Sequence, residues 1–358
     1  MINKLVTMIL LPALLLLSAT TVLAVKADTL NIYFAGDLMQ HEAQIKSAKM
    51  PDGNYDYSGC FSFVKKEIKE ADIAVGNLEV TLGGKPYRGY PAFSAPDEYF
   101  YAIRDAGFDV LMTANNHCLD RGKKGLERTV SMLDSLKIKR AGTYINKEDR
   151  LHNYPLLVEK KDFKVVFLNA TYGTNGISVS QPNIVNFIDR EQIKKDILKA
   201  RLMRPDVIIA IMHWGLEYKT KPSKSEMDLT KWLISMGVDH VIGSHPHVVQ
   251  PVEVFGKKNS PKKNFVVYSL GNYISNMSAR QTDGGMAVKL TLKKSNGITR
   301  LIDYKYSFVW TSRPTLNNRN KFILYPQDVD SGLLNGIEKE HMKRYLKEAK
   351  SITSSLGY

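Results

Sequence analysis

Two cysteines in 358 residues, Cys60 and Cys118, are too few to build a disulfide scaffold. They can pair in an oxidising compartment, but sequence spacing does not set the distance between them. Stability must therefore come from an apolar core, and 44% hydrophobic residues over this length are enough to form one. Internal repeats are absent, as are low-complexity tracts and any Pro/Ser-rich linker between Asp28 and about residue 310. A solenoid and a string of tethered modules are thereby excluded, leaving one continuous domain over residues 28–310. Residues 311–358 read as a C-terminal extension whose charged helix, "GIEKEHMKRYLKEAK", is expected to pack outside the domain or stay partly mobile.

Long apolar runs are also scarce, the one example lying within residues 1–27. Lys4 precedes an apolar core from Leu5 to Leu17, and small residues follow up to Ala24 and Ala27. This is the layout of a secretion signal cleaved after Ala24 or Ala27. The competing reading is an uncleaved anchor, because Leu5 to Val25 is 21 uncharged residues, just enough to span a bilayer. No cysteine follows the run directly, which excludes a lipid-anchored form. The remainder is expected to be exported, whether periplasmic, extracellular or at the cell surface.

Acidic residues are outnumbered, giving a formal charge of +14, and loss of the first 27 residues with Lys4 and Lys26 leaves +12. The lysines are scattered and lack interleaved aromatics, so nucleic acid is not the expected partner. An anionic polymer or membrane surface fits better, with much of the charge serving simply as a solvated face.

Against these absences stands a regular alternation. Strand-like runs such as "TLNIYFAG", "DIAVGN" and "FDVLMTA" alternate with helical patterns such as "PDEYFYAIRDAG" and "KKGLERTVSMLDSLKIK". That order predicts an α/β fold with crossover units around a sheet. Ser223 with Glu226 forms a capping box ahead of "MDLTKWLISMG", which Gly237 ends. Past residue 160 the pattern becomes richer in strands.

Polar residues able to bind metal recur just past the strand-like runs, where α/β sheets present ligands to a common crevice. They are Asp37 and His41 in "FAGDLMQH", Asn77 and Glu79 in "VGNLEV", Asn116 and His117 in "TANNHCLD", His213 in "IMHWG", and His245 and His247 in "GSHPH". Five of the eight histidines belong to this set, so the clustering is chemical rather than compositional. Imidazoles, carboxylates and an amide oxygen together form an inventory for one or two divalent transition-metal ions, Mn, Fe or Zn. A histidine left uncoordinated is then available as a proton donor. His245 and His247, two apart on an extended segment, would point the same way and serve both ions. Cys118 beside His117 reads as a packing residue, since a sequence neighbour does not point at its neighbour in space. Asn272 in "SLGNYI" either supports the site through backbone turns or ends a strand, and turn chemistry favours the strand end.

Taken in order, "GD...H", "GNLE", "NNH.LD.G", "HWG.E", "GSHPHV.QP.E" and "YSLGN" resemble the CapA family of poly-γ-glutamate capsule biosynthesis proteins, from about Asp28 to about Ile302. That family is similar to the calcineurin-like metallophosphoesterases. The resemblance implies a central β-sandwich flanked by helices, with the site at the strand ends. It further implies that Asp37 and His247 bind a first ion, that Glu79 bridges, that Asn116, His213 and His245 bind a second, and that His117 donates a proton. The wider superfamily opens with Asp-X-His, whereas His41 stands four residues after Asp37. His41 is nevertheless kept among the candidate metal ligands. Asn77 occupies the place of the usual bridging aspartate. The implied function is capsule polymer synthesis or export, with poly-γ-glutamate and a capsule-synthesis membrane complex as partners. A metal-dependent phosphoesterase or polyglutamate amide hydrolase is the alternative, and a non-catalytic polyanion binder a third.

Overall fold

The strand β1 (Asp28–Leu38) sets the plan of the molecule, because its side chains alternate between two separate cores. Leu30, Ile32 and Phe34 enter one buried cluster, while Tyr33 and Ala35 enter another. A strand buried on both faces has to lie inside a layered structure. The computed structural model, which describes residues 28–256 and 263–354, is built in such layers.

In chain order, β1 is followed by β2 (Ile73–Leu78), β3 (Val110–Met112) and β4 (Lys139–Ala141), each parallel to its predecessor. A short pair, β5 (Thr143–Tyr144) with β8 (Ile184–Val185), stands apart. The second sheet holds β6 (Leu156–Lys160), β7 (Phe163–Thr171), β9 (Val207–His213), β10 (His240–Ser244), β11 (Val252–Phe255) and β12 (Asn264–Val267) in the order β11-β12-β10-β9-β7-β6. Its members β7, β9, β10 and β12 run parallel, with β6 and β11 antiparallel at the two edges. The chain then returns to the first sheet with β13 (Asn272–Ile274), β14 (Gly284–Ser295), β15 (Ile298–Ser312) and β16 (Ile323–Pro326), completing the path β16-β15-β14-β1-β2-β3-β4 with β13 pairing β1.

Helices cover the sheets. The first cluster joins Leu30, Ile32 and Phe34 to Val165, Phe167, Ile209 and Ile211 of the second sheet. It also takes in Ile193, Ile197 and Ala200 of an α-helix over Arg190–Leu202, and Leu229 and Leu233 of another over Lys224–Ser235. The latter begins with the capping box of Ser223 and Glu226, as its sequence predicts. On the opposite face of the first sheet, Ile68 of helix Lys65–Lys69 and Tyr99, Phe100 and Ile103 of helix Asp97–Ala106 fill the second cluster. The α/β class and the helix-flanked sandwich are therefore those expected. Parallel strands from both sheets bring their C-terminal ends to the same side of the molecule, and that arrangement positions the site.

The C-terminal region differs from its expectation. A boundary at residue 310 falls inside β15, which continues to Ser312 and pairs with β16. The helix Gly336–Thr353 is anchored to the sandwich, since Met342, Tyr345 and Ala349 join the first cluster. Its charged sequence hides this because the buried residues occupy only one stripe. Cys60 and Cys118 are free thiols in separate clusters, and burial pushes each up to about 12. The expected leader or anchor, residues 1–27, lies outside the described residues. Among the described residues no helix is long and apolar enough to cross a membrane.

Candidate metal centre

Asp37 reaches the crevice through a local irregularity in β1. The ladder to β2 shifts register between Phe34 and Asp37, and Asp37 N donates to Gly271 O at 3.0 Å. A Cβ on Gly36 would stand 2.0 Å from that same carbonyl oxygen, so only glycine permits the approach. Asp37 then pairs with Asn77 on one side and Asn272 on the other. From the second sheet, His213 ends β9, and His245 and His247 follow β10. Gly243 is another enforced glycine, since a Cβ there would lie 1.9 Å from Tyr268 O and 2.6 Å from Trp214 Nε1.

Asp37, Asn77, Glu79, Asn116, His117, His213, His245 and His247 are all buried. Two groups of three have ligand atoms lying within 4.8 Å of one another: Glu79, His245 and His247, and Asp37, Glu79 and His213. Glu79 belongs to both, which is the relationship a bridging carboxylate requires. The partition of histidines differs from the expected one. His247 groups with His245, and His213 with Asp37, although His247 Nδ1 also stands 3.4 Å from Asp37 Oδ2. Asn116 Oδ1 lies 2.7 Å from His213 Nε2, at the margin of the second group.

His245 and His247 do not sit on extended backbone. Their φ values are 102° and 59°, in the left-handed region that non-glycine residues rarely adopt. The rings converge through this turn, with centroids 5.8 Å apart, rather than through strand alternation. Strain of this kind is kept where surrounding packing enforces it and function uses it.

Asn77 orients the carboxylates. Its Nδ2 donates to Asp37 Oδ1 at 2.8 Å and stands 3.5 Å from Glu79 Oε2 and 3.3 Å from His213 Nδ1. An amide at the usual aspartate position thus holds the two acids together instead of adding a third charge.

His41 is not drawn into either group. It caps the helix Glu42–Ala48, with Nδ1 accepting from Asn276 N at 3.3 Å and facing Gln44 Oε1 at the same distance. Displaced by four residues along the chain instead of two, it turns into a helix start at the rim. His117 likewise stays outside the groups. Its Nδ1 lies 2.8 Å from Asp120 Oδ2, and that oxygen also accepts from Phe93 N at 2.8 Å.

Sequence reasoning missed Asn115, Asp120 and Tyr172, and preferred a strand end to a supporting role for Asn272. Asn115 donates to Leu78 O at 2.8 Å and accepts from His117 N at 3.1 Å, tying two strand ends together. Asn272 is a supporting residue as well as the start of β13, for its Oδ1 lies 3.0 Å from His247 Nδ1. Tyr172 packs against His245 with ring centroids 4.5 Å apart and covers the crevice wall. The Asp three residues after His117 was a usable signal, because a tight turn brings such positions together. Tyr172 carried none.

Burial governs the charges. It raises Glu79 well above the ordinary carboxylate range, and the Asp37 charge adds to the effect. Burial also pushes His213 well below its usual value, helped by His245 and His247, and takes His245 down to about 3 and His41 to about 4. The neutral imidazole so favoured is the form that binds metal. Asp37 Oδ2, Glu79 Oε1 and His245 Nδ1 are buried without a hydrogen-bond partner. Each such orphan costs about 1–3 kcal/mol or more, and cations held by the two groups would remove that cost. The donor set and its orphaned atoms therefore fit a divalent metal site.

The family model described as "Bacterial capsule synthesis protein PGA_cap" matches residues 31–277. The chain is similar to the capsule biosynthesis protein CapA of Bacillus anthracis, 27% identical over 288 residues, covering 77% of this chain and 66% of that protein. It is similar also to the PGA biosynthesis protein CapA of Bacillus subtilis, 26% identical over 289 residues, covering 76% and 70%. Among solved structures it is similar to the calcineurin-like phosphoesterase YfkN of Bacillus subtilis, with 15% identity and a TM-score of 0.45, covering 79% of this chain and 90% of that one.

Proposed function

The chain belongs to the bacterial capsule synthesis protein PGA_cap family, and on that premise we propose that it is an exported protein of capsule assembly whose buried centre performs metal-dependent hydrolysis. One observation carries the reading: two buried ligand groups share Glu79, and three of their atoms lack a hydrogen-bond partner. A structural core has no use for such an arrangement, whereas a cation site requires it.

Asp37, Glu79, His213, His245 and His247 would hold one or two ions, with Asn116 Oδ1 beside His213. Imidazole with carboxylate suits Mn, Fe or Zn. When bound, the ions supply Lewis acidity toward a phosphoryl or carbonyl oxygen. The protein's own residues do the rest. Asn77 keeps Asp37 and Glu79 in place, and Asn272 aims His247. Asp120 accepts from His117 Nδ1–H and fixes the ring, so Nε2 is the nitrogen left to give a proton to a leaving group. Tyr172 shields His245 from water on one side. The charge of +14 attracts an anionic substrate, and the partner we propose is the capsule polymer, poly-γ-glutamate.

Metal analysis of the purified protein and of a His245→Ala/His247→Ala double variant tests the centre. Bound transition metal in the first and its loss in the second is the expected result, and undiminished metal in the variant refutes the assignment. Deletion of the gene in the native host should reduce surface polymer, and the mature protein should begin after Ala24 or Ala27 by mass spectrometry. Efficient turnover of p-nitrophenyl phosphate without any binding of polyglutamate would promote the phosphoesterase reading.

A further inference from the structure

Away from the metal centre, the C-terminal helix Gly336–Thr353 borders a trough of about 500 Å³ that the preceding chemistry does not use. Its floor is apolar, formed by Val329, Leu334, Met342 and Leu346. Its rim is cationic. Lys339, Lys343, Lys347 and Lys350 all line the trough, all are exposed, and none forms an ion pair among the described residues.

The helix is held so that these lysines face out. Tyr345 packs so closely on β14 that a Cβ at Gly284 would lie 2.7 Å from its ring. Two of the three acids on the helix are engaged elsewhere: Glu338 Oε1 accepts from the Ser312 hydroxyl at 2.6 Å, and Glu348 pairs with Arg280 at 3.0 Å. Glu340 stands at the edge of the lysine stripe. At 100° per residue the four lysines fall within an arc of about 80°, and the spacing from 339 to 343 to 347 advances about 6 Å per step along the axis. The result is a row of unneutralised ammonium groups that winds gently around the helix beside an apolar strip.

We propose that this trough is a track for an extended carboxylate polymer, which lays its methylenes on the floor and its carboxylates along the lysine row. The proposal rests on the polyanion part of the preceding reading, but not on the metal centre. Standard bond lengths give a peptide-linked chain with two extra backbone methylenes per residue a repeat of about 6 Å, comparable to the axial advance of the lysines from one to the next. A concave floor below a cationic rim suits a chain better than a flat bilayer, which meets a protruding apolar face.

The test is binding of fluorescently labelled poly-γ-glutamate to purified protein at low salt, comparing wild type with Lys339→Glu/Lys343→Glu/Lys347→Glu. All three side chains are exposed, so the variant should fold, which its melting temperature and metal content check. The expected result is at least tenfold weaker polymer binding with metal content unchanged. Restoration of binding by the Arg counterparts at the same positions shows that charge is what matters. Equal binding by the triple variant overturns the track and leaves the metal centre untouched. Retention of vesicles of phosphatidylglycerol, but not of the polymer, overturns it in favour of a membrane surface. Polymer binding that survives His245→Ala/His247→Ala supports a track separate from the metal centre, and absence of hydrolytic activity in the metal-loaded wild type removes the hydrolytic reading while leaving the track standing.

Discussion

Asn272 Oδ1 stands 3.0 Å from His247 Nδ1, while Asn272 Nδ2 donates to Thr282 O at 2.8 Å. A strand start in the first sheet thus aims a histidine from a turn in the second. Partners of this kind orient a ligand and set its tautomer, and their loss costs about 10–100-fold in metal affinity. Asn272→Ala should weaken metal binding on that scale by titration calorimetry, and should also lower the melting temperature of the metal-free protein, since Thr282 O loses its donor. Wild-type affinity in the variant would show that Asn272 does not orient His247 for metal binding.

Asp120 should act on rate rather than on metal. It touches His117 and Phe93 N, and it belongs to neither ligand group. Asp120→Asn is expected to retain its metal and lose about 10²-fold in kcat with little change in KM, the scale of a positioned proton donor. A parallel fall in metal content would make the dyad part of the metal-binding framework. Glutamate at 120 should restore part of the rate if orientation of the ring is the contribution.

Metal should stabilise the fold. Asp37 Oδ2, Glu79 Oε1 and His245 Nδ1 are buried without hydrogen-bond partners, so the metal-free protein bears their desolvation cost. Saturation at one hundred times Kd adds about 2.7 kcal/mol, which raises Tm by roughly 4 °C in a domain of this size. Scanning calorimetry with chelator and then with Mn²⁺ or Zn²⁺ measures it. No shift with either ion would argue against a metal centre.

The two thiols should be silent in the native protein. Burial pushes Cys60 and Cys118 up to about 12, which leaves almost no thiolate at pH 7–9. Ellman's reagent should detect neither before denaturation and both afterwards. A single oxidised pair by mass spectrometry would contradict the separate clusters in which they are packed.

Much of this molecule was legible before its structure. Alternation of strand and helix patterns announced the α/β class, since periodicities of 2 and 3.6 are local properties of the chain. Asp37, Glu79, His213, His245 and His247 were also readable, because a polar residue just past an apolar strand has few places to go except the sheet edge. The capping box at Ser223 was visible for the same reason of locality.

What sequence alone determined, then, is which residue types arrive at the strand ends; which of them meet was decided by packing two sheets against each other. Asp37 and Asn77 come from one sheet and His213, His245 and His247 from the other, so no local pattern encodes their distances. His41 fell outside the ligand groups because a helix begins at it, and Asn272 came inside because β13 pairs with β1. The two histidines of "GSHPH" meet through left-handed backbone at 245 and 247, which the surrounding packing has to enforce against the intrinsic preference of L-residues. The C-terminal helix joined the core because its apolar stripe found the first sheet, a long-range event that its charged composition concealed.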